Sequence, residues 1–282
     1  MNLKIDHVTV CGSNLERMRR DFAGVGLRTT YGGRHANGVT HMDLLAFADG
    51  SYIELIAPVT SLTGAGGMMS GWAQFMEADA GCGAWAVRSS DIHAEVAQLR
   101  RAGIEVRGPE AGSRERPDGT KLEWETALVG SGPAGSVLPF FIQDKTARDL
   151  RVPPPDKDIS IQGGAAVVIG VRDLMSSIAL FRRAFEFEEA EAIVEDHPDF
   201  GATLASFTNV PVILASPMGS RSWLAERLQK FGECPAAFFL HVSPERAREN
   251  FPAVTESTSW FGRDVTWLDP DRLHGTRLGL FR

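Results

Sequence analysis

Two residues in the first sixty carry the chemistry. His7 lies in the run "IDHVTVCGS" and Glu54 in "YIELIAP". Both runs read as strands, rich in β-branched and aliphatic residues. Strand alternation puts Ile5, His7 and Thr9 on one face and Val8 and Val10 on the other. Tyr52, Glu54 and Ile56 likewise share a face opposite Ile53 and Leu55. The aliphatic faces suit packing beneath a helix, which sends the imidazole and the carboxylate together to a concave side. A carboxylate in an apolar strand is costly unless something there pairs with it or uses it. Arg34 is one such partner. A divalent metal shared with His7 is another, the imidazole giving a neutral nitrogen and the carboxylate a charge. Such a metal polarises a carbonyl or enolate oxygen. A His that follows Asp near a strand start is also a common hydrogen-bonded structural residue, and the residues alone leave both readings open.

The elements around these residues predict how they are placed. A turn at Asp49-Gly50 joins two alternating runs, and a two-residue turn would pair Phe47 with Tyr52, Leu45 with Glu54 and Asp43 with Ile56. His41 would then share the concave face but sit about 13 Å along the strand, too far to share a metal with Glu54. His35 follows Arg34 in a Gly-rich loop that is able to fold over the mouth of the site. Trp85 and Trp124 are the aromatic candidates for substrate contact, although their type equally suits a core. Cys82 has no His–acid pattern beside it, and "GAGG" at 64–67 lacks the Lys-Ser/Thr of a phosphate loop. His241 and His274 fall in the second half, His274 at an expected turn.

One unit recurs along the chain: a strand, a helix, then two or three strands. Its copies open at "IDHVTVCGS", "GAWAVRSSD", "AAVVIGVRD" and, more weakly, "AAFFLHVSP". Asn14, Asp91 and Asp173 occupy one position in three of them, after a strand and before a helix, as N-caps. In the fourth, a short helix is expected over "ERARENFPAVTE". The polar stretch 145–158 contains three consecutive prolines and reads as an extended connection. The expected division is 1–148, a linker at 149–158, and 159–282. The fold class is therefore α+β: four βαβββ-type modules in two paired halves, each pair curling into a cup. The sheets around Ile5–Val10 and Ala84–Ser89 are expected to face one another across the first cup.

Composition excludes several classes. A net charge of −7 with no Lys/Arg run argues against a nucleic-acid partner. No apolar run reaches the ~18–20 residues of a membrane span. Three widely spaced cysteines without a CxxC pair argue against a cysteine zinc site and, with no signal-peptide pattern, for reduced thiols in the cytoplasm. The expected partner is a small-molecule substrate, with room for a homodimer.

The βαβββ unit, the "DHV" opening and the strand-borne "ELI" resemble the vicinal oxygen chelate superfamily. "GGRHANGVTH…YIELIAP" followed by "RPDG…LPFFIQ" is similar to its glyoxalase-like subgroup, over roughly residues 3–145. The resemblance implies either an enzyme that chelates neighbouring substrate oxygens on a divalent metal (Fe, Mn, Zn, Ni or Mg), or a metal-free binding or resistance protein. Enzymes of this kind are isomerases, lyases or ring-cleavage dioxygenases. The family's metal positions, on the first and last strands of each module, fall here on His7 and Glu54, then on Ala84 and Gln143. The implied metal set is His7, Glu54 and Gln143, with His7 and Glu54 catalytic and His35, Arg34, Trp85 and Trp124 at the substrate. Ala84 departs from the four-ligand pattern of glyoxalase I. In the second half the first-strand position is Ala166 and "VPVILASP" carries no acid, which implies a supporting role.

Overall fold

Hydrophobic alternation and capping residues produce the expected units. The computed structural model describes residues 3–36, 38–62, 68–116, 118–156, 160–187, 192–242, 251 and 254–281. The first unit is β1 (Ile5–Cys11), α1 (Leu15–Gly24), β2 (Thr30–His35), β3 (Thr40–Ala46) and β4 (Tyr52–Pro58). A helix not foreseen from sequence, α2 (Met68–Glu77), leads to the second unit. That unit is β5 (Gly81–Arg88), α3 (Ile92–Arg101), β6 (Val106–Glu115), β7 (Lys121–Val129) and β8 (Phe140–Asp144), followed by the single turn α4 (Arg148–Arg151). The second half runs β9 (Ile161–Gly170), α5 (Leu174–Phe185), β10 (Ala192–His197), β11 (Ala202–Phe207), β12 (Val212–Pro217) and α6 (Trp223–Phe231). It closes with β13 (Cys234–Val242), β14 (Val254–Trp260), β15 (Arg263–Leu268) and β16 (Leu278–Phe281). Asn14, Asp91 and Asp173 cap α1, α3 and α5, each accepting from the N–H three residues on. Most of the expected fourth helix, and the "GAGG" loop, lie outside the described residues. The end of "ERARENFPAVTE", from Val254, belongs to strand β14.

The first half is a closed barrel in the order β1-β4-β3-β2-β6-β7-β8-β5, and the second an eight-stranded curled sheet in the order β10-β11-β12-β9-β13-β16-β15-β14. The two four-stranded sheets enclose one barrel, and their opening strands meet along a seam of it. β1 and β5 are antiparallel neighbours, with His7 opposite Ala86 and Thr9 opposite Ala84. Each is the edge of its own four-stranded module, and joining edges satisfies the backbone groups that an open cup would leave bare. The other seam, β2 with β6, pairs only Arg34 with Glu115 and His35 with Arg114.

The hairpin differs by one residue from its expected register. Phe47 N–H donates to Ser51 O at 2.9 Å, which leaves a three-residue turn, Ala48 to Gly50, with Gly50 at φ +76°. Glu54 therefore lies opposite Leu44 and Tyr52 opposite Ala46. A slip of one residue exchanges faces. His41 accordingly leaves the concave side and meets the Tyr31 ring edge-on at 6.1 Å, while Asp43 takes both guanidinium arms of Arg19 on α1 at 2.6 Å.

Val8, Val10, Ile53 and Leu55 pack with Met18 and Phe22 of α1, as the alternation requires. The same buried cluster continues through Val167, Ile169, Phe181, Phe185 and Phe238, so one core runs through both halves. Arg227 of α6 fastens them by donating to Ala80 O at 2.9 Å and to Cys82 O, both in the first half. The second sheet carries stacked and edge-on rings of Phe200, Phe239, Trp260, Trp267 and Phe281 where the first has its cavity. Among the described residues no helix is long and apolar enough to cross a membrane.

Candidate active site in the first barrel

β1 and β4 run parallel, with Thr9 beside Glu54 and His7 beside Tyr52. Thr9 and Glu54 are buried and meet, the Thr9 hydroxyl donating to Glu54 Oε2 at 3.2 Å. His35, from the end of β2, reaches the other oxygen, with Nε2 3.3 Å from Oε1. Its Nδ1 lies 2.9 Å from the Thr40 hydroxyl. A carboxylate only accepts, so His35 donates to Glu54 through Nε2.

His7 is held differently. The β1–β5 register shifts between Ile5 and His7, which makes Asp6 the extra residue of a β-bulge. The bulge returns Ile5 to the core and brings consecutive residues Asp6 and His7 together, with His7 Nδ1 2.7 Å from Asp6 Oδ1. Since Asp6 accepts, Nδ1 carries the proton, which makes Nε2 the bare nitrogen of the neutral ring. That bare nitrogen lies 3.7 Å from Glu54 Oε2. Two acceptors therefore face each other across a gap that a substrate hydroxyl, a proton or a cation fits. The Tyr52 ring stacks on His7 at 4.7 Å and 13°, and Phe140 closes the other side edge-on at 5.4 Å.

The linker supplies what the sequence concealed. Its first residues form α4 rather than an extended spacer. Arg148 reaches Asp6 Oδ2 at 2.5 Å, and Arg151 reaches Asp6 Oδ1 at 3.5 Å, Asp144 at 2.6 Å and the Tyr52 hydroxyl at 2.9 Å. Burial alone would raise the Asp6 carboxyl. Arg151, His7 and Arg148 outweigh it and hold the group well below the usual carboxylate range. Burial pushes Glu54 up too, but the hydrogen bond and charge of His35, with His7 and Thr9, bring it down to about 2. Both acids are thus ionised near neutrality.

These groups surround a cavity of about 450 Å³ walled by Tyr52, Trp72, Trp124 and Phe140, with Glu110 and Arg151 among its polar lining. A cavity of about 440 Å³ where the 129–138 loop meets the second half has no imidazole in its lining. Chemistry, rather than size, selects the barrel site.

Of the residues singled out from sequence, His7, Glu54, His35 and Trp124 come together in this cavity. Three do not join them. Gln143 lies on the β8 face opposite Phe140 and Ile142, where its side-chain oxygen accepts from Ile92 N–H at 2.8 Å and its amide donates to Ser90 O at 3.2 Å. It ties the start of α3 to β8 and points away from the cavity. Trp85 is fully buried in the shared core, its indole N–H on Val137 O at 3.1 Å, because Ala84 and Ala86 take the inward face of β5. Arg34 is exposed and does not pair with Glu54, a role His35 fills. Asp6, Arg148 and Arg151 went unassigned. The signal available was an Asp beside a His in an apolar strand, and two arginines spaced i, i+3 after Asp144. The fit to a resident divalent ion is incomplete. Among the described residues no three His, Cys, Asp or Glu side chains form a group that could hold one.

The Trp124 wall depends on a neighbouring residue with no side chain. A Cβ on Gly112, its partner across β6 and β7, would overlap the Trp124 indole. Gly112→Ala is expected to displace the ring into the cavity, at a cost of about 1–3 kcal/mol. A blue or red shift of tryptophan emission with a lowered urea midpoint would register it, and an unchanged spectrum would show that the wall tolerates the methyl.

A barrel closed from two βαβββ modules, with its polar pair on β1 and β4, is the architecture of the vicinal oxygen chelate superfamily. Residues 5–185 match the glyoxalase-like domain, and the chain belongs to that family within the superfamily. The crystal structure of a hypothetical protein from Staphylococcus aureus is similar end to end, with TM-score 0.66 and 16% identity over 99% of this chain and 98% of that one. Methylmalonyl-CoA epimerase from Mycobacterium tuberculosis is similar over 45% of this chain and 91% of its own, at 18% identity and TM-score 0.37. A variant of the Streptomyces coelicolor enzyme of that name, in complex with 2-nitronate-propionyl-CoA, gives 19% identity and TM-score 0.36, over 43% and 97%. At 16% identity the likeness to the Staphylococcus aureus protein concerns the fold alone. No curated protein matches the chain.

Proposed function

We propose that the first barrel is the active site of an enzyme that moves a proton on a small oxygenated organic substrate, by isomerisation or elimination. His7 is the proton carrier. Its bare Nε2 accepts the proton from the substrate carbon or hydroxyl beside a carbonyl and returns it to another atom of the product in an isomerisation, or to the departing hydroxyl, which leaves as water, in an elimination, while anionic Glu54 stabilises the imidazolium formed in between. The observation that carries this reading is the Asp6–His7 contact of 2.7 Å with Nε2 turned toward Glu54. His35 holds Glu54 from the far side. The apolar and aromatic walls exclude water and favour a flat substrate with few charges, because Arg151 already spends its donors on Asp6, Asp144 and Tyr52. A divalent ion between His7 and Glu54, as the superfamily implies, would take its other ligands from substrate and water.

The aromatic walls also favour a second reading, a metal-free binding or resistance protein that sequesters its ligand between Tyr52, Trp72, Trp124 and Phe140. One experiment separates the two. Neutral α-hydroxy ketones and related carbon acids are incubated with the protein in D₂O, and substrate C–H exchange is followed by NMR, alongside metal analysis of protein purified without chelator. Exchange that disappears in His7→Gln supports the enzyme. Tight binding with no exchange across the panel supports the binding protein.

A further inference from the structure

The short helix α4 stands outside the barrel strands, yet both its arginines turn back into the barrel floor. We infer that Arg148 and Arg151 are positioning residues for His7, acting through Asp6 to fix which ring nitrogen carries the proton. The inference rests on the reading of His7 as proton carrier.

Asp6 is fully buried, and both its oxygens are engaged. Oδ1 takes His7 Nδ1 at 2.7 Å and the two terminal nitrogens of Arg151 at 3.5 Å. Oδ2 takes Arg148 at 2.5 Å, with Arg88 at 3.6 Å. The carboxylate therefore has no free rotation that would release His7. The clamp is itself anchored: Arg148 Nη2 and Nε donate to Gly50 O at 2.5 and 3.2 Å, and Arg88 donates to the same oxygen at 2.9 Å. Arg151 adds a second constraint, because the Nη2 that faces Asp6 also donates to the Tyr52 hydroxyl at 2.9 Å, and the Tyr52 ring is the one stacked on His7. One guanidinium thus sets the tautomer through Asp6 and the ring plane through Tyr52. Buried ion clusters of this kind stabilise a fold poorly compared with apolar packing, and their best-attested use is to specify one arrangement. A carboxylate behind an imidazole fixes the tautomer that leaves the working nitrogen bare.

The test reads the tautomer directly, by long-range ¹H–¹⁵N spectra of protein labelled at histidine nitrogens, at mildly alkaline pH. Native protein is expected to show His7 protonated at Nδ1 alone. Asp6→Asn offers an amide donor to Nδ1 and should shift the proton to Nε2. Arg148→Gln, at a less buried position, should give a mixture of the two forms, and Arg148→Lys should restore the native form. A native ring protonated at Nε2, or an Arg148→Gln spectrum identical to native, would overturn the inference. The functional reading fails separately: if His7→Gln retains full substrate exchange while the tautomers behave as expected, His7 is positioned by the clamp but is not the proton carrier.

Discussion

Glu54→Gln is expected to lower turnover about 10²- to 10³-fold while substrate affinity changes far less. Glutamine matches the shape of glutamate and keeps an oxygen for the His35 or Thr9 hydrogen bond. It removes the charge that stabilises a protonated His7. It also places an amide N–H where Glu54 Oε2 now faces the bare Nε2 at 3.7 Å, so the substituted side chain occupies the proton-accepting nitrogen itself. The loss should appear in kcat, with KM within a few-fold of the parent, because the aromatic walls that hold the substrate are untouched. Steady-state measurement on whichever substrate exchanges its proton provides the check. An unchanged kcat would reduce Glu54 to a structural counter-ion for His35.

Asp6→Asn is expected to have the largest effect on stability, about 3–5 kcal/mol at neutral pH. Asp6 has no exposed surface and neutralises Arg148 and the buried Arg151, which among the described residues keeps only Asp144 as an ion-pair partner once the carboxylate is gone. The sign of the accompanying pH dependence follows from the direction of the shift. A carboxyl depressed in the folded state contributes stability that is complete above its unfolded value and is lost as pH falls. For Asp6 the loss begins near its ordinary 3.8, and for Glu54 between 4.5 and about 2. Urea midpoints recorded from neutral pH downward should therefore fall steeply below about pH 4.5 in the parent, and Asp6→Asn should start lower and flatten. A parent curve level to pH 3 would show that these carboxyls are not charge-paired in the fold.

Alternation made the pairing of His7 with Glu54 legible, because each sits in a strand whose other face is wholly aliphatic. The same rule failed at Ile5, since the bulge at Asp6 resets parity within the strand, and no residue type announces a bulge. His41 went to the wrong face because Ala48-Asp49-Gly50 admits both a two- and a three-residue turn, and only tertiary packing, through Arg19 on Asp43, chooses. Gln143 satisfied a register copied from the first module, but β8 turns it outward to the start of α3. Arg151 was hidden by composition: polar residues before a proline run read as solvated, and nothing local shows that the guanidinium folds back under β4. The closure of the barrel was not legible at all, because an edge strand's choice between solvent and another edge is made by non-local geometry.

The core shared by the two halves bears on how this gene can be cut and recombined. Val167, Ile169 and Phe185 belong to the same buried cluster as Val8 and Trp85, and the arginine clamp follows the last barrel strand. A fragment ending at Asp144 would expose that cluster to water and would also lack Arg148 and Arg151. The two repeats look modular on paper, but each now supplies the other's interior. Shuffling the first barrel onto a foreign partner would therefore carry away the strands of the candidate site while leaving behind the surface that lets them fold.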